Sequence, residues 1–276
     1  MYLSVDDKQG KFMKKLAAVI SGLLLISACS TSSTGRNQVM LYSNSELSKM
    51  GAQSFDQLKE KEKISNNKAV NAYVQCVADS ITPHVPKSAH QGDWEVIVFE
   101  SEQVNAFALP GGKIGIYTGI LEVAETPDQL AAIMGHEVAH VIEGHSNERL
   151  SSGQLANMGL AAASAVLATQ EVENKGLWMA GLGLGVQYGV LMPYSRTHES
   201  EADIVGENLM AKAGFNPKAS VELWRNMAKL SKEAPPEFMS THPSNQTRIN
   251  QLTANLDVAN QYYRQAKKAS CKRATI

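Results

Sequence analysis

The 276 residues predict an α+β fold that is mainly helical, with one small antiparallel sheet. Three observations carry this. Alanine and methionine are plentiful while aromatic residues make up only 6% of the chain, a balance that leans towards helix. Strand-like runs of β-branched and aromatic residues are confined to residues 94–117. Runs with helical spacing follow and precede them. The length suffices for one substantial domain. A formal net charge of −1 gives no reason to expect a nucleic-acid partner.

The N-terminus reads as a separate segment. From Met13 the chain runs Lys14-Lys15, an apolar stretch from Leu16 to Ile26, then Ser27-Ala28-Cys29. A basic start, a short apolar run and small residues describe a secretory signal, and the run is too short to span a bilayer comfortably. Residues 1–28 are therefore expected to be a signal peptide, with residues 1–12 lying ahead of a true start at Met13. Ile26-Ser27-Ala28-Cys29 resembles a bacterial lipobox, which implies lipidation of Cys29. Residues 29–45 would then be a lipid-anchored tether, its Ser/Thr-rich part from Ser30 to Asn37 flexible. Residues 46–270 would form the folded domain. For Cys76 and Cys271, a disulfide and two unpaired thiols both fit.

Element by element, Ser45 to Lys63 has helical periodicity, and Asn71 to Thr82 is a second helix stopped by Pro83. Trp94 to Phe99, Val104 to Leu109 and Lys113 to Tyr117 are strands, the last two joined by the turn Pro110-Gly111-Gly112. Thr126 caps a helix with Pro127 in its first position, running to about Glu143. Ser151 to Glu171 and Leu177 to Tyr194 are rich in Ala, Gly and Leu and predict a helical hairpin beside the site. Gly181, Gly183 and Gly185 lack the context of a phosphate loop and are expected to allow close helix packing. Thr197 to Ala213, Lys218 to Leu230 and Thr247 to Lys268 complete the helices.

The chemistry centres on His136-Glu137-Val138-Ala139-His140. Residues four apart on a helix share a face, so His136 and His140 can hold one metal ion. Glu137 is then placed to take a proton from a water that zinc makes more acidic. The flanking residues are apolar, so a charged patch there needs a reason, which the metal supplies. A third ligand is required. His145 lies off the His136/His140 face by helical phase and is expected outside the metal shell. Glu199, four residues before Asp203, is the better candidate, with Asp203 orienting a ligand imidazole or handling a proton.

Val104-Asn105-Ala106-Phe107-Ala108-Leu109-Pro110-Gly111-Gly112, the His-Glu-x-x-His string, Glu199-Ser200-Glu201-Ala202-Asp203, and Thr241-His242-Pro243 with Arg248 occur in that order. Residues 46–255 thereby resemble the zinc metallopeptidases that include the CAAX prenyl protease, HtpX, and the periplasmic lipoprotein peptidases BepA and LoiP. The resemblance implies a zincin-like domain of the gluzincin type, with the sheet packed on the metal-binding helix. It implies one Zn2+ per subunit on His136, His140 and Glu199, with Glu137, Asp203 and His242 catalytic. Asn105, Ala106 and Phe107 would offer an edge to an extended peptide. His242 would either stabilise the oxyanion or fill zinc's fourth position and hold the enzyme off. Arg248 would anchor its loop to an acidic group. By the same resemblance, substrates would be misfolded or misassembled envelope proteins, met at the periplasmic face of the outer membrane. Two other readings are a chaperone-like binding protein with a self-inhibited zinc site and an envelope scaffold with a structural zinc.

Overall fold

The computed structural model describes residues 29–169, 174–186, 192–230, 242 and 246–275. The signal peptide expected at residues 1–28 lies outside the described residues, as do Thr241 and Pro243 beside His242.

The stretch expected to be a flexible tether instead folds back on the domain. Strands β1 (Cys29–Thr31) and β2 (Asn37–Val39) form an antiparallel hairpin. Its turn is held by carboxylates of the main body. Ser33 donates from its backbone N and its Oγ to Glu143, at 2.9 and 2.6 Å. Arg36 bridges Glu148 and Glu201, both buried. Lifting the hairpin away would leave those two carboxylates buried without their cation, which is costly.

Helix α1 (Asn44–Lys61) starts at a reciprocal cap between Ser43 and Glu46. Helix α2 (Lys68–Ile81) starts a turn earlier than its apolar spacing suggests, because Asn67 accepts from the backbone of Ala69 and Val70. Its inner face is Val70, Val74, Val77 and Ile81.

The sheet is mixed, which corrects the antiparallel expectation. Strands β3 (Glu95–Phe99), β4 (Ala106–Leu109) and β5 (Lys113–Tyr117) lie in the order β3-β5-β4. The tight turn at Gly111 and Gly112, both at positive φ, makes β4 and β5 a hairpin. The link from Glu100 to Asn105 passes beyond β5, pinned where Thr118 Oγ1 accepts from Ser101 N and donates to Ser101 O. Strand β3 therefore meets β5 in parallel. Strand β4 pairs only with β5 among the described residues, leaving its other side as an edge. Alternation sorts the sheet's two faces. Ala106, Ala108, Ile114 and Ile116 join the main core, while Phe99, Phe107 and Tyr117 pack with Phe55 of α1.

After one turn at α3 (Ile120–Val123) comes α4 (Pro127–Ile142), capped by Thr126 as its sequence predicts. Every residue from Gln129 to Val141 is buried. Helix α4 is thus the axis of the domain, with the sheet, α2, α7 (Met192–Lys212) and α8 (Lys218–Leu230) packed around it and α9 (Gln246–Gln265) packed on α7 and α8. Helices α5 (His145–Thr169) and α6 (Lys175–Val186) form the expected hairpin, but only its root lies beside the site. His145, Asn147, Glu148 and Ser151 are buried, whereas Met158, Val166, Leu177, Trp178 and Leu184 are exposed. No described helix is long and apolar enough to cross a membrane. The C-terminal tail returns to α2, where Cys271 and Cys76 form a disulfide with Cα atoms 5.7 Å apart.

Candidate metal centre

The centre is made where α4 and α7 cross. A Cβ on Gly135 would lie 2.8 Å from Gly206 O, and one on Gly206 would lie 2.7 Å from His136 N. Only glycine permits so close an approach of two backbones. Gly181 and Gly183, expected to serve close packing, instead have nothing within 4 Å of an added Cβ. Just past the crossing α4 presents His136 and His140, and one and two turns before it α7 presents Asp203 and Glu199. His242 reaches the same point from the segment before α9.

Four of these side chains can hold a metal ion: His136, His140, Glu199 and His242. His136 Nε2 is 3.2 Å from both His140 Nε2 and His242 Nδ1. Glu199 Oε2 lies 2.9 Å from His242 Nδ1 and 3.3 Å from His136 Nε2, and Glu199 Oε1 is 3.5 Å from His140 Nε2. Metal–nitrogen distances of about 2.0 Å in a tetrahedron put donors about 3.3 Å apart, so the spacing suits zinc. Glu199 Oε1 and Glu137 Oε1 are buried without a hydrogen-bond partner, as oxygens aimed at such a centre would be.

The surroundings are charged and buried. Arg248 donates from Nε and Nη2 to Asp203, at 2.6 and 2.8 Å, and its Nη1 is 3.0 Å from Glu199 Oε2. Its guanidinium also lies 3.9 Å over the Trp224 ring. Asp203 Oδ1 is in turn 3.0 Å from His136 Nδ1, the side of the ring away from the donor group. Burial opposes Asp203's charge, but Arg248 holds its carboxyl below the usual range. Burial likewise opposes a charge on His136, yet Asp203 and Glu199 raise it to about 9. His140 is kept well below the ordinary imidazole value by burial and by His136. Glu137 is raised, mainly by burial. Its Oε1 lies 3.5 Å from His242 Nε2.

Sequence spacing thus brings His136, Glu137, His140, Glu199, Asp203 and His242 together, and Arg248 meets the acidic partner expected of it. It misses a second buried cluster behind His140. His145 stands outside the donor group, as expected, but its Nδ1 is 2.8 Å from His140 Nδ1. Helical phase cannot show this, because α4 ends at Ile142 and Gly144, at φ 66°, turns the chain before α5 begins. Ala106 and Phe107 lie on the free edge strand, with Asn105 just before it. The turn beyond that strand, at Pro110 and Gly111, lines a cleft of about 420 Å³ together with His140, Glu143 and the β1–β2 hairpin.

The sequence profile of peptidase family M48 matches residues 65–256. The chain belongs to this family. Curated M48-like relatives include the mitochondrial metalloendopeptidase OMA1 of Schizosaccharomyces pombe, 37% identical over 58% of this chain. OMA1 of Danio rerio is 33% identical over 79% of it. The beta-barrel assembly-enhancing protease of Escherichia coli is 25% identical over 72% of it. The aligned parts are 45%, 48% and 42% of those proteins, so this M48 chain spans under half the length of each.

Proposed function

We propose that this M48 chain is a zinc-dependent endopeptidase that cleaves misfolded or misassembled envelope proteins. The observation that carries the activity is the buried His136–His140–Glu199 group with the buried Glu137 carboxylate, whose Oε1 has no hydrogen-bond partner, beside it. Bound zinc would supply Lewis acidity, polarising a scissile carbonyl and easing loss of a proton from water. Glu137 takes that proton and returns it to the leaving nitrogen. Asp203 fixes the His136 ring, and Arg248 fixes Asp203. An extended substrate adds along the free edge of β4, beside α4. A purely structural zinc would have no use for a buried base at Glu137.

The location is proposed as the periplasmic face of the outer membrane, with Cys29 as the lipid anchor. The pattern of residues 13–29 supports it, and the Cys76–Cys271 disulfide suits an oxidising compartment. The name of the E. coli relative suits envelope substrates, whereas the OMA1 relatives are mitochondrial.

Glu137→Gln tests the activity. Hydrolysis of an unfolded protein substrate is expected to fall about 10²–10⁴-fold with zinc content unchanged. Full activity in that variant would remove Glu137 as the base.

A second reading, a self-inhibited site with a chaperone-like role, is favoured by one observation: His242 Nδ1 stands in the donor group itself. His242→Ala should then raise basal hydrolysis while the three remaining donors keep zinc. A fall in hydrolysis at unchanged zinc content would instead assign His242 to the oxyanion.

A further inference from the structure

His140 has two ring nitrogens, and only one faces the donor group. On the far side, His140 Nδ1 meets His145 Nδ1 at 2.8 Å. A nitrogen pair at that distance shares one proton, so one ring donates and the other accepts. If Nε2 offers its lone pair to a metal, the neutral His140 ring carries its proton on Nδ1 and is the donor. His145 must then accept at Nδ1 and carry its own proton on Nε2. That nitrogen lies 3.0 Å from Glu201 Oε2, an acceptor. The tautomers of both rings are therefore set from the carboxylate inward.

Glu201 is held in turn by the N-terminal hairpin. Arg36 donates to Glu201 Oε2 from Nη2 at 2.8 Å and from Nε at 3.2 Å, and Thr34 Oγ1 donates to Glu201 Oε1. The same guanidinium grips Glu148 through Nη1 and Nη2, at 2.6 and 2.7 Å. His198 Nε2 meets Glu148 Oε2 at 2.9 Å, and the His198 ring stacks on His145 with centroids 4.2 Å apart. His145, Glu148, His198 and Glu201 are all at least 95% buried. The His145 ring is thus fixed on its face and at both nitrogens.

We propose that His145 is the positioning residue for His140, and that Glu201 and Arg36 lock it in that role. The centre then has two matching outer arms. One runs His136–Asp203–Arg248 and ends on the first turn of α9. The other runs His140–His145–Glu201–Arg36 and ends on the first hairpin. This rests on the metal reading of the preceding section, and it makes the hairpin part of the metal centre rather than a leader to it.

The test measures zinc affinity by chelator competition on the protein beginning at Cys29, with secondary structure and thermal midpoint of the metal-free form as fold controls. His145→Leu, which cannot accept from His140, should weaken zinc about 10–100-fold. His145→Asn, whose Oδ1 can take the place of Nδ1, should recover most of the loss. Arg36→Met, with no atom in the donor group, should weaken zinc measurably as well. Zinc affinity of folded His145→Leu within twofold of wild type overturns the proposal. Should these variants not fold, nitrogen-15 NMR of histidine in the zinc-loaded wild type decides. A proton on His140 Nδ1 and on His145 Nε2 supports the proposal, and a proton on His145 Nδ1 overturns it. Wild-type protein that binds no zinc fails the metal reading itself, a result distinct from wild-type binding that His145→Leu leaves unchanged.

Discussion

Glu207 is a carboxyl with no part in the metal chemistry. It is buried on α7, accepting from Ser220 Oγ at 2.6 Å and Asn255 Nδ2 at 2.8 Å. Burial pushes it up to about 7, more than those two donors pull it down. From an unfolded value near 4.5, the native state keeps a proton that the unfolded chain has released as pH rises to about 7. This group's contribution to stability therefore falls across that window, and its cost is complete above it. Glu207→Gln should be more stable than wild type at pH 8, by about 1–3 kcal/mol, and little different at pH 4.5. Equal denaturation midpoints for the two proteins at pH 8 would contradict this. At this scale the sequence was legible where residues repeat every four positions on an unbroken helix, as with His136 and His140 or Glu199 and Asp203. It was silent about His145, because the turn at Gly144 resets the phase on which such a reading depends.

Between elements, the crossing of α4 and α7 sets how far apart the donors stand. Gly206→Ala would drive a methyl carbon to 2.7 Å from the His136 backbone, which neither helix can yield without shifting. The expected result is a loss of about 1–3 kcal/mol in stability, with zinc affinity falling because Glu199 moves away from the imidazoles. Unfolding and chelator competition on the same variant measure both, and an unchanged zinc affinity would show that the crossing does not set the donor spacing. Helix identities could be read from spacing, and the cap at Thr126 from the Pro127 that follows it, whereas the caps at Ser43 and Asn67 start their helices earlier than spacing suggests. Sheet order could not, since nothing local to β3 tells it to skip β4 and meet β5. Nor could the seat of the first hairpin, whose Ser/Thr-rich composition looks like a tether until Arg36 is seen to neutralise carboxylates more than a hundred residues away.

Over the whole molecule, the Cys76–Cys271 bond closes a span of 195 residues and encloses most of the core, both helices of the crossing and every donor. Closing so long a loop is worth about 5 kcal/mol in chain entropy. Reduction, or paired replacement of both cysteines by serine, should therefore lower unfolding stability by about 2–5 kcal/mol. Equal stability of the oxidised and reduced forms would show that the bond contributes nothing. Composition left this pairing open, because the distance between two cysteines follows from the fold and not from their separation in sequence. The bond also has a consequence for how the chain is made. Residue 271 leaves the ribosome roughly 10–40 s after residue 76, at ordinary rates of synthesis. Throughout that interval the only other thiol in the chain is that of Cys29. Any modification that consumes the Cys29 sulfur early removes the one partner with which Cys76 could be captured wrongly, and leaves it waiting for the end of the chain.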